Sequence, residues 1–364
     1  MFQFNFAIYL TILLSIVIGC DNCKKLSDTT FTSSNQGNTK PLIALFHGLG
    51  SGSYAFDKLV PELKKAFPSV EVIALTSLEN GETYSSSIRN QATICFDDLL
   101  KNISILPKRP TLLIGHSQGG LCAYSMYYIY KKRLNVKGII TLATPWEGAP
   151  ALNSDHRPFL KRLQHPHVMS EMQEFSRARG KDANWLQEDL IECVNKFQFS
   201  GCSKGAGDLK PGSEFLNWVQ KRLPSAEVPI LAIGGEGNDF RVFLPEESDN
   251  DFKVLRNLWT KVIVGQTHHN KAHDMIVPLY SQLAENIAPY NSEDCTKDNS
   301  VDFTRCTISD AIHDGFLGLP AKKVSKNILH HPEMFEKVKD FGKKVLHPHD
   351  SKLQQPQNLA AEAA

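Results

Sequence analysis

The stretch Leu112-Leu-Ile-Gly-His-Ser-Gln-Gly-Gly120 constrains this chain more than any other, because an apolar run stops abruptly at a G-x-S-x-G pentapeptide around Ser117. Pro110–Ile114 reads as a short buried strand, and Gly119–Tyr130 has the small residues and apolar spacing of a helix packed on a sheet. Strand, sharp turn and helix together are the context that lifts a nucleophilic serine onto the tip of a strained turn. Gly115 and Gly119 lack a Cβ, so the two elements can approach closely around Ser117. The pentapeptide alone is a weak signal, and its flanks give it weight.

A serine that attacks an acyl carbonyl needs two backbone N–H groups aimed at the developing oxyanion. One belongs to the residue after the nucleophile, here Gln118. The other comes from the loop after an earlier strand. Pro41–Phe46 reads as that strand, and His47-Gly-Leu-Gly50 follows it, which makes Leu49 the second candidate donor and His47 a residue to orient the turn. The plain alternative is a glycine-rich turn leading into a helix over Tyr54–Phe67.

With these pieces the chain resembles the lipase and esterase branch of the α/β-hydrolases. The matching segments are LFHGLG (45–50), GHSQGG (115–120), LATPWEGAP (142–150), DLKPGSEFL (208–216) and HDMIVPLYSQ (273–282). GHSQGG and TSLENGETYSSS (76–87) also look like the palmitoyl-protein thioesterases, whereas the TPWEGAP, DLKPGS and DMIVPLYSQ segments look more like bacterial triacylglycerol lipases. The resemblance implies an α/β-hydrolase fold: a mostly parallel central sheet, helices on both faces and a cap insertion.

The pattern along the chain agrees. Strands are expected at Leu42–Phe46, Val70–Leu75, Thr111–Ile114, Val136–Leu142, Pro229–Ile233 and Thr307–Ile312. Crossover helices are expected at Tyr54–Phe67, Tyr84–Asn102, Gly119–Lys131, Glu214–Arg222 and Pro332–Val345. The rhythm breaks between Ala149 and Ser213, read as a cap over the site with helical pieces at Phe159–Phe175 and Trp185–Phe197. Gly235–Lys271 reads as a second irregular region. The hydrolase domain is placed at residues 41–345, and 346–364 is expected to be a disordered tail.

A serine hydroxyl is a weak nucleophile at neutral pH and needs an imidazole oriented by a buried carboxylate. The resemblance implies the chain order Ser, acid, His. His273-Asp-Met-Ile-Val-Pro278 matches the lipase segment that carries the acid, so Asp274 is the expected acid. Its bland alternative is an N-cap for the run that follows, and Asp239 is the other acid considered. His313, after the strand ending at Ile312, is the expected base; His330 and His331, near the start of the last helix, are the alternatives. His268, His269 and His273 form a cluster, but Gln-Thr-His-His-Asn-Lys reads as a loop, so no metal is expected. Trp146 is expected to line an acyl pocket or pack the cap. The chemistry implied calls for no cofactor.

Residues 1–19 are almost wholly apolar, short for a membrane-spanning helix of about 20 residues and suited to a signal peptide. Val17-Ile-Gly-Cys20 is similar to a bacterial lipobox, in which Cys20 would be acylated and anchor the protein to a membrane. Residues 20–40 read as a polar tether. Export to a secreted or envelope location fits two cysteine pairs, Cys193 with Cys202 and Cys295 with Cys306, each expected to form a local disulfide. Cys95 and Cys122 lie in helical patterns and are expected to be buried and unpaired. A formal net charge of +1 over 364 residues gives no electrostatic case for nucleic acid.

The function expected is hydrolysis of lipid or other apolar acyl esters. Thioester hydrolysis is the alternative within enzymes, and a non-catalytic lipid-binding hydrolase fold the alternative outside them.

Overall fold

The computed structural model describes residues 40–347, apart from 80, 103–108, 154–155, 157–159, 162, 165, 179, 201–202, 239–250, 266–267, 289–301 and 315–325. Among these residues the centre is a six-stranded, wholly parallel sheet in the order β2-β1-β3-β4-β5-β6. The strands are β1 Leu42–Phe46, β2 Glu71–Ala74, β3 Pro110–His116, β4 Asn135–Leu142, β5 Ile230–Gly235 and β6 Phe303–Ile308. β1 is apolar at every position and buried at every position, as a strand covered on both faces must be.

Alternate side chains of each strand feed two separate cores. Leu42, Ala44, Phe46, Leu113, Ile139 and Ile230 pack against α3 (Ile88–Asn102), α4 (Gln118–Tyr130) and α8 (Glu214–Gln220). Ile43, Leu45, Leu112, Ile114, Ile140 and Leu231 face α1 (Leu59–Ala66) and α11 (Pro332–Leu346) instead. Helices therefore cover both faces of the sheet.

Between β4 and β5 lie α5 (Pro166–Ala178), α6 (Trp185–Ser200), α7 (Lys204–Asp208) and α8. Met172 of α5 and Leu186, Leu190 and Val194 of α6 form a third apolar cluster with Trp259, Val262 and Ile263. Those last three belong to α9 (Asp251–Val264), a four-turn helix where the sequence predicts irregular structure. The same cluster holds Met275 and Ile312, the chain neighbours of Asp274 and His313. Among the described residues no helix is long and apolar enough to cross a membrane.

β6 is also displaced from expectation, running over Phe303–Ile308 rather than Thr307–Ile312. Among the described residues it is an edge strand: Phe303 and Ile308 are buried, while Thr304–Thr307 are partly or fully exposed, so its apolar signal is thin. The chain turns at Ser309-Asp310, and Ile312 makes a separate parallel bridge to Asn327.

The strand order reverses between β1, which leads outward to β2, and β3, which leads the other way. Ligand crevices in open parallel sheets form at the carboxyl ends of strands flanking such a switch point. His47 follows β1 there, and Ser117 follows β3.

Candidate active site

Ser117 is the single residue between β3 and α4, held at φ 54° and ψ −129°. A non-glycine residue there stores roughly 1–3 kcal/mol of backbone strain. Its N–H is fixed by the Leu142 carbonyl of β4, 2.8 Å away. Two glycines make the turn possible: a Cβ at Gly115 would lie 2.4 Å from Gly120 Cα, and one at Gly119 only 2.1 Å from the Phe46 carbonyl oxygen. The hydroxyl of Ser117 hydrogen-bonds His313 Nε2 at 3.0 Å, and His313 Nδ1 meets Asp274 Oδ2 at 2.7 Å.

Asp274 is completely buried, in a loop shaped to receive a carboxylate. Its Oδ1 accepts the N–H groups of Ile276 (3.0 Å) and Val277 (2.7 Å), with Met275 between them at φ 82°. One oxygen of the side chain thus caps the loop, and the other is left to face His313. The backbone N–H of His313 also donates to the Asp274 carbonyl at 2.9 Å, so main chain and side chain lock the pair together. With Oδ2 accepting from Nδ1–H, Nε2 is left as the acceptor for the serine proton. Burial disfavours the imidazolium of His313, but the charge and hydrogen bond of Asp274 outweigh it and hold the pKa above the ordinary histidine value. Such a chain can take a proton from Ser117 as the oxygen attacks an electrophile.

The family model described as the alpha/beta hydrolase family matches residues 43–277. The chain belongs to the alpha/beta hydrolases. Among solved structures, this hydrolase is similar to the lipase of Staphylococcus hyicus, at 14% identity and a TM-score of 0.51, over 88% of this chain and 100% of that one. It is also similar to lipase 1 of Pelosinus fermentans, at 12% identity and a TM-score of 0.49, over 82% and 98% of the two chains. A naproxen esterase of Bacillus subtilis is 18% identical over 84% of each chain, with a TM-score of 0.40. The first of these likenesses carries the fold alone. No curated protein matches this hydrolase in sequence.

Two buried imidazoles beside Asp274 and His313 have contacts that no local sequence signal announces. His116, inside the pentapeptide, donates from Nε2 to the His313 carbonyl at 3.1 Å, and the two rings lie 4.8 Å apart. Burial, and then the neighbouring His313, press its pKa down to about 4, so it is neutral. His273 accepts the Met275 N–H at Nδ1 (3.0 Å) and donates from Nε2 to Thr260 Oγ1 (3.0 Å), pinning the acid loop to α9. Burial lowers its pKa to about 4 as well. His273 therefore points away from the cluster in which the sequence placed it, while His268 stacks on His269 and Tyr280. Among the described residues no group of three His, Cys, Asp or Glu could hold a metal ion.

The turn after β1 runs beside the serine: a Cβ on Gly48 would lie 3.0 Å from Ser117 Cβ. His47 donates from Nδ1 to the Gly48 carbonyl at 3.1 Å within it. Leu49 follows Gly48, and Gln118 opens α4, where first-turn N–H groups have no acceptor inside the helix.

The alternative residues lie elsewhere in this hydrolase. His331 caps α11, accepting the Glu333 N–H at Nδ1 (3.2 Å) and donating from Nε2 to Asp310 (3.0 Å). His330 ends the short turn before it. Trp146 belongs to the sheet core, not to a pocket or the cap: it is fully buried against Tyr124 and Phe303, with Nε1–H on Thr141 Oγ1. Cys306 lies on β6 beside the α1–α11 core and is a free thiol among the described residues, its expected partner Cys295 lying outside them. Cys95 and Cys122 are buried free thiols, as expected. Cys20, Cys202, Cys295, Asp239, the expected leader, the expected tether up to residue 39 and residues 348–364 of the expected tail lie outside the described residues, as does the side chain of Cys193; Leu346, placed in that tail from the sequence, instead ends α11.

Proposed function

We propose that this alpha/beta hydrolase is a serine hydrolase that cleaves acyl esters of lipid or other apolar substrates. The observation that carries the reading is the unbroken chain from Asp274 Oδ2 through His313 to Ser117 Oγ, at 2.7 and 3.0 Å, behind a strained turn. Ser117 Oγ adds to the acyl carbon as His313 Nε2 takes its proton. The oxyanion rests on the N–H groups of Leu49 and Gln118. His313 then protonates the leaving alkoxide, giving the alcohol and an acyl-enzyme. Water, deprotonated by the same nitrogen, adds to that acyl carbon, and collapse releases the acid and restores Ser117.

Thioesters place the same demands on these groups, and the likeness of residues 76–87 to palmitoyl-protein thioesterases keeps S-acyl substrates as the second reading. Rates on S-palmitoyl and p-nitrophenyl substrates of matched chain length separate the two. In the same proposal, the apolar run of residues 1–19 and Cys20 support a location outside the cytosol and at a membrane, where apolar esters are concentrated.

Ser117→Ala is the direct test. A fluorophosphonate should label Ser117 in the wild type and not in the variant, and ester turnover should fall by roughly 10⁴-fold or more. Turnover in Ser117→Ala at the wild-type rate would sink the proposal.

A further inference from the structure

We infer that Thr83 is a positioning residue that holds both oxyanion donors of this hydrolase in register, an inference that rests on the proposed roles of Leu49 and Gln118. Thr83 lies on α2 (Glu82–Ser85), within the segment 76–87, and is buried. Its two polar oxygens point to two different parts of the site. The side-chain Oγ1 accepts the N–H of Gly50 at 2.9 Å, fixing the peptide immediately after Leu49. The backbone carbonyl accepts from Gln118 Nε2 at 3.2 Å, fixing the residue after the nucleophile.

The surroundings leave this connection little freedom. Gln91 Nε2 donates to the same Thr83 carbonyl at 3.1 Å, so both lone pairs of that oxygen are used. Gln118 Nε2 also donates to the Gly205 carbonyl of α7 at 3.0 Å. A Cβ on Gly205 would lie 1.9 Å from the Thr83 carbonyl oxygen, so α7 presses directly on α2. Four residues upstream, Glu79 Oε1 accepts both the N–H (2.9 Å) and the hydroxyl (2.7 Å) of Ser53, a second tie from the same segment to the turn. Gly50 itself is at φ 67°, and a Cβ there would meet the Tyr84 hydroxyl at 2.5 Å.

Oxyanion donors act by being fixed before charge develops, and their contribution falls steeply when their aim drifts. The turn after β1 and the start of α4 belong to different elements, and nothing covalent relates their N–H directions. Thr83 relates them. Removing its hydroxyl frees the Gly50 N–H while leaving Ser117, His313 and Asp274 untouched, so ground-state binding should persist and transition-state binding should weaken.

The experiment compares wild type, Thr83→Val and Thr83→Ser with a p-nitrophenyl ester, each rate expressed per fluorophosphonate-titrated site. Thr83→Val should lower kcat by about 10- to 100-fold with KM within about twofold, and weaken an alkyl boronic acid by the same factor as kcat. Thr83→Ser, which keeps the acceptor, should recover kcat to within about threefold. Thr83→Ala carries the expectation of Thr83→Val if the latter does not fold. A purely structural role would lower the thermal midpoint and the number of titrated sites without changing kcat per site. A hydroxyl-less variant with wild-type kcat per site, or Thr83→Ser as impaired as Thr83→Val, overturns the inference. A wild type that neither turns over nor takes the label overturns the serine-hydrolase reading beneath it instead.

Discussion

Replacing Asp274 by asparagine perturbs the proposed chemistry while sparing the loop that holds it. In the native site one oxygen of Asp274 accepts two backbone N–H groups and the other faces His313 Nδ1. Asparagine keeps the first arrangement through its amide oxygen and turns an NH₂ toward the imidazole. His313 must then accept at Nδ1 and carry its proton on Nε2, so that Nε2 meets the Ser117 hydroxyl donor to donor. The base is lost although every heavy atom stays in place. Such a tautomer reversal costs about 10⁴-fold in kcat, or about 5.5 kcal/mol of transition-state stabilisation. Asp274→Ala should be as inactive but less stable, because it strips acceptors from two N–H groups in a buried loop, at roughly 1–3 kcal/mol each. Initial rates on a short p-nitrophenyl ester, paired with thermal melts of both variants, read the two effects separately. Turnover of Asp274→Asn within about tenfold of wild type would refute the argument. Equal melting of Asn and Ala variants would refute the account of the loop.

Gly119→Ala should destabilise the fold by about 3 kcal/mol or more, since its Cβ would sit 2.1 Å from a backbone carbonyl of β1 that cannot move aside; a loss below about 1 kcal/mol in urea titration would contradict this. kcat/KM should rise with pH through an apparent pKa above 6.5, because burial alone would lower that of His313 and Asp274 more than offsets it, while only the neutral imidazole is a base. Stability should move differently. The unfolded chain takes up protons at His116 and His273 between pH 6.5 and about 4 that the folded chain refuses, so these two histidines make thermal midpoints fall as pH falls through that window. His313 has the opposite sign: its contribution is complete below pH 6.5 and is lost as pH rises through its folded pKa. Midpoints for His116→Phe should therefore depend less steeply on pH in the acid window than those of wild type.

Where the sequence was legible, the determinants were local. β3, the turn at Ser117 and α4 are encoded by adjacent residues, and the apolar run, the glycines and the helix each report their own conformation. Asp274 and His313 lie far from Ser117 in sequence, so only a family pattern of order links the three, and the fold brings them within hydrogen-bond distance of one another. Three features were not legible because they depend on neighbours. The residues of β6 are mixed in polarity, as an edge strand with one core-facing residue at each end can be, so its bounds slid toward Ile312. α9 ends in Thr-Lys-Val-Ile-Val264, a stretch with strand-like composition, and its helix is fixed by packing on α6 and by the Trp259 N–H on the Met275 carbonyl. His116 reads as an arbitrary residue within the pentapeptide; its work is to hold a carbonyl 197 positions away, and no local signal announces that.

The serine and its imidazole are 196 residues apart in the chain, and the imidazole follows the last strand of the sheet. A polypeptide made from its N-terminus therefore carries the nucleophile long before it carries the base. Until β6 has added to β5, the Ser117 hydroxyl has no His313 to activate it, even if the turn that strains it has already formed. The order of the strands thus makes the proposed site one of the last features of the sheet to be assembled.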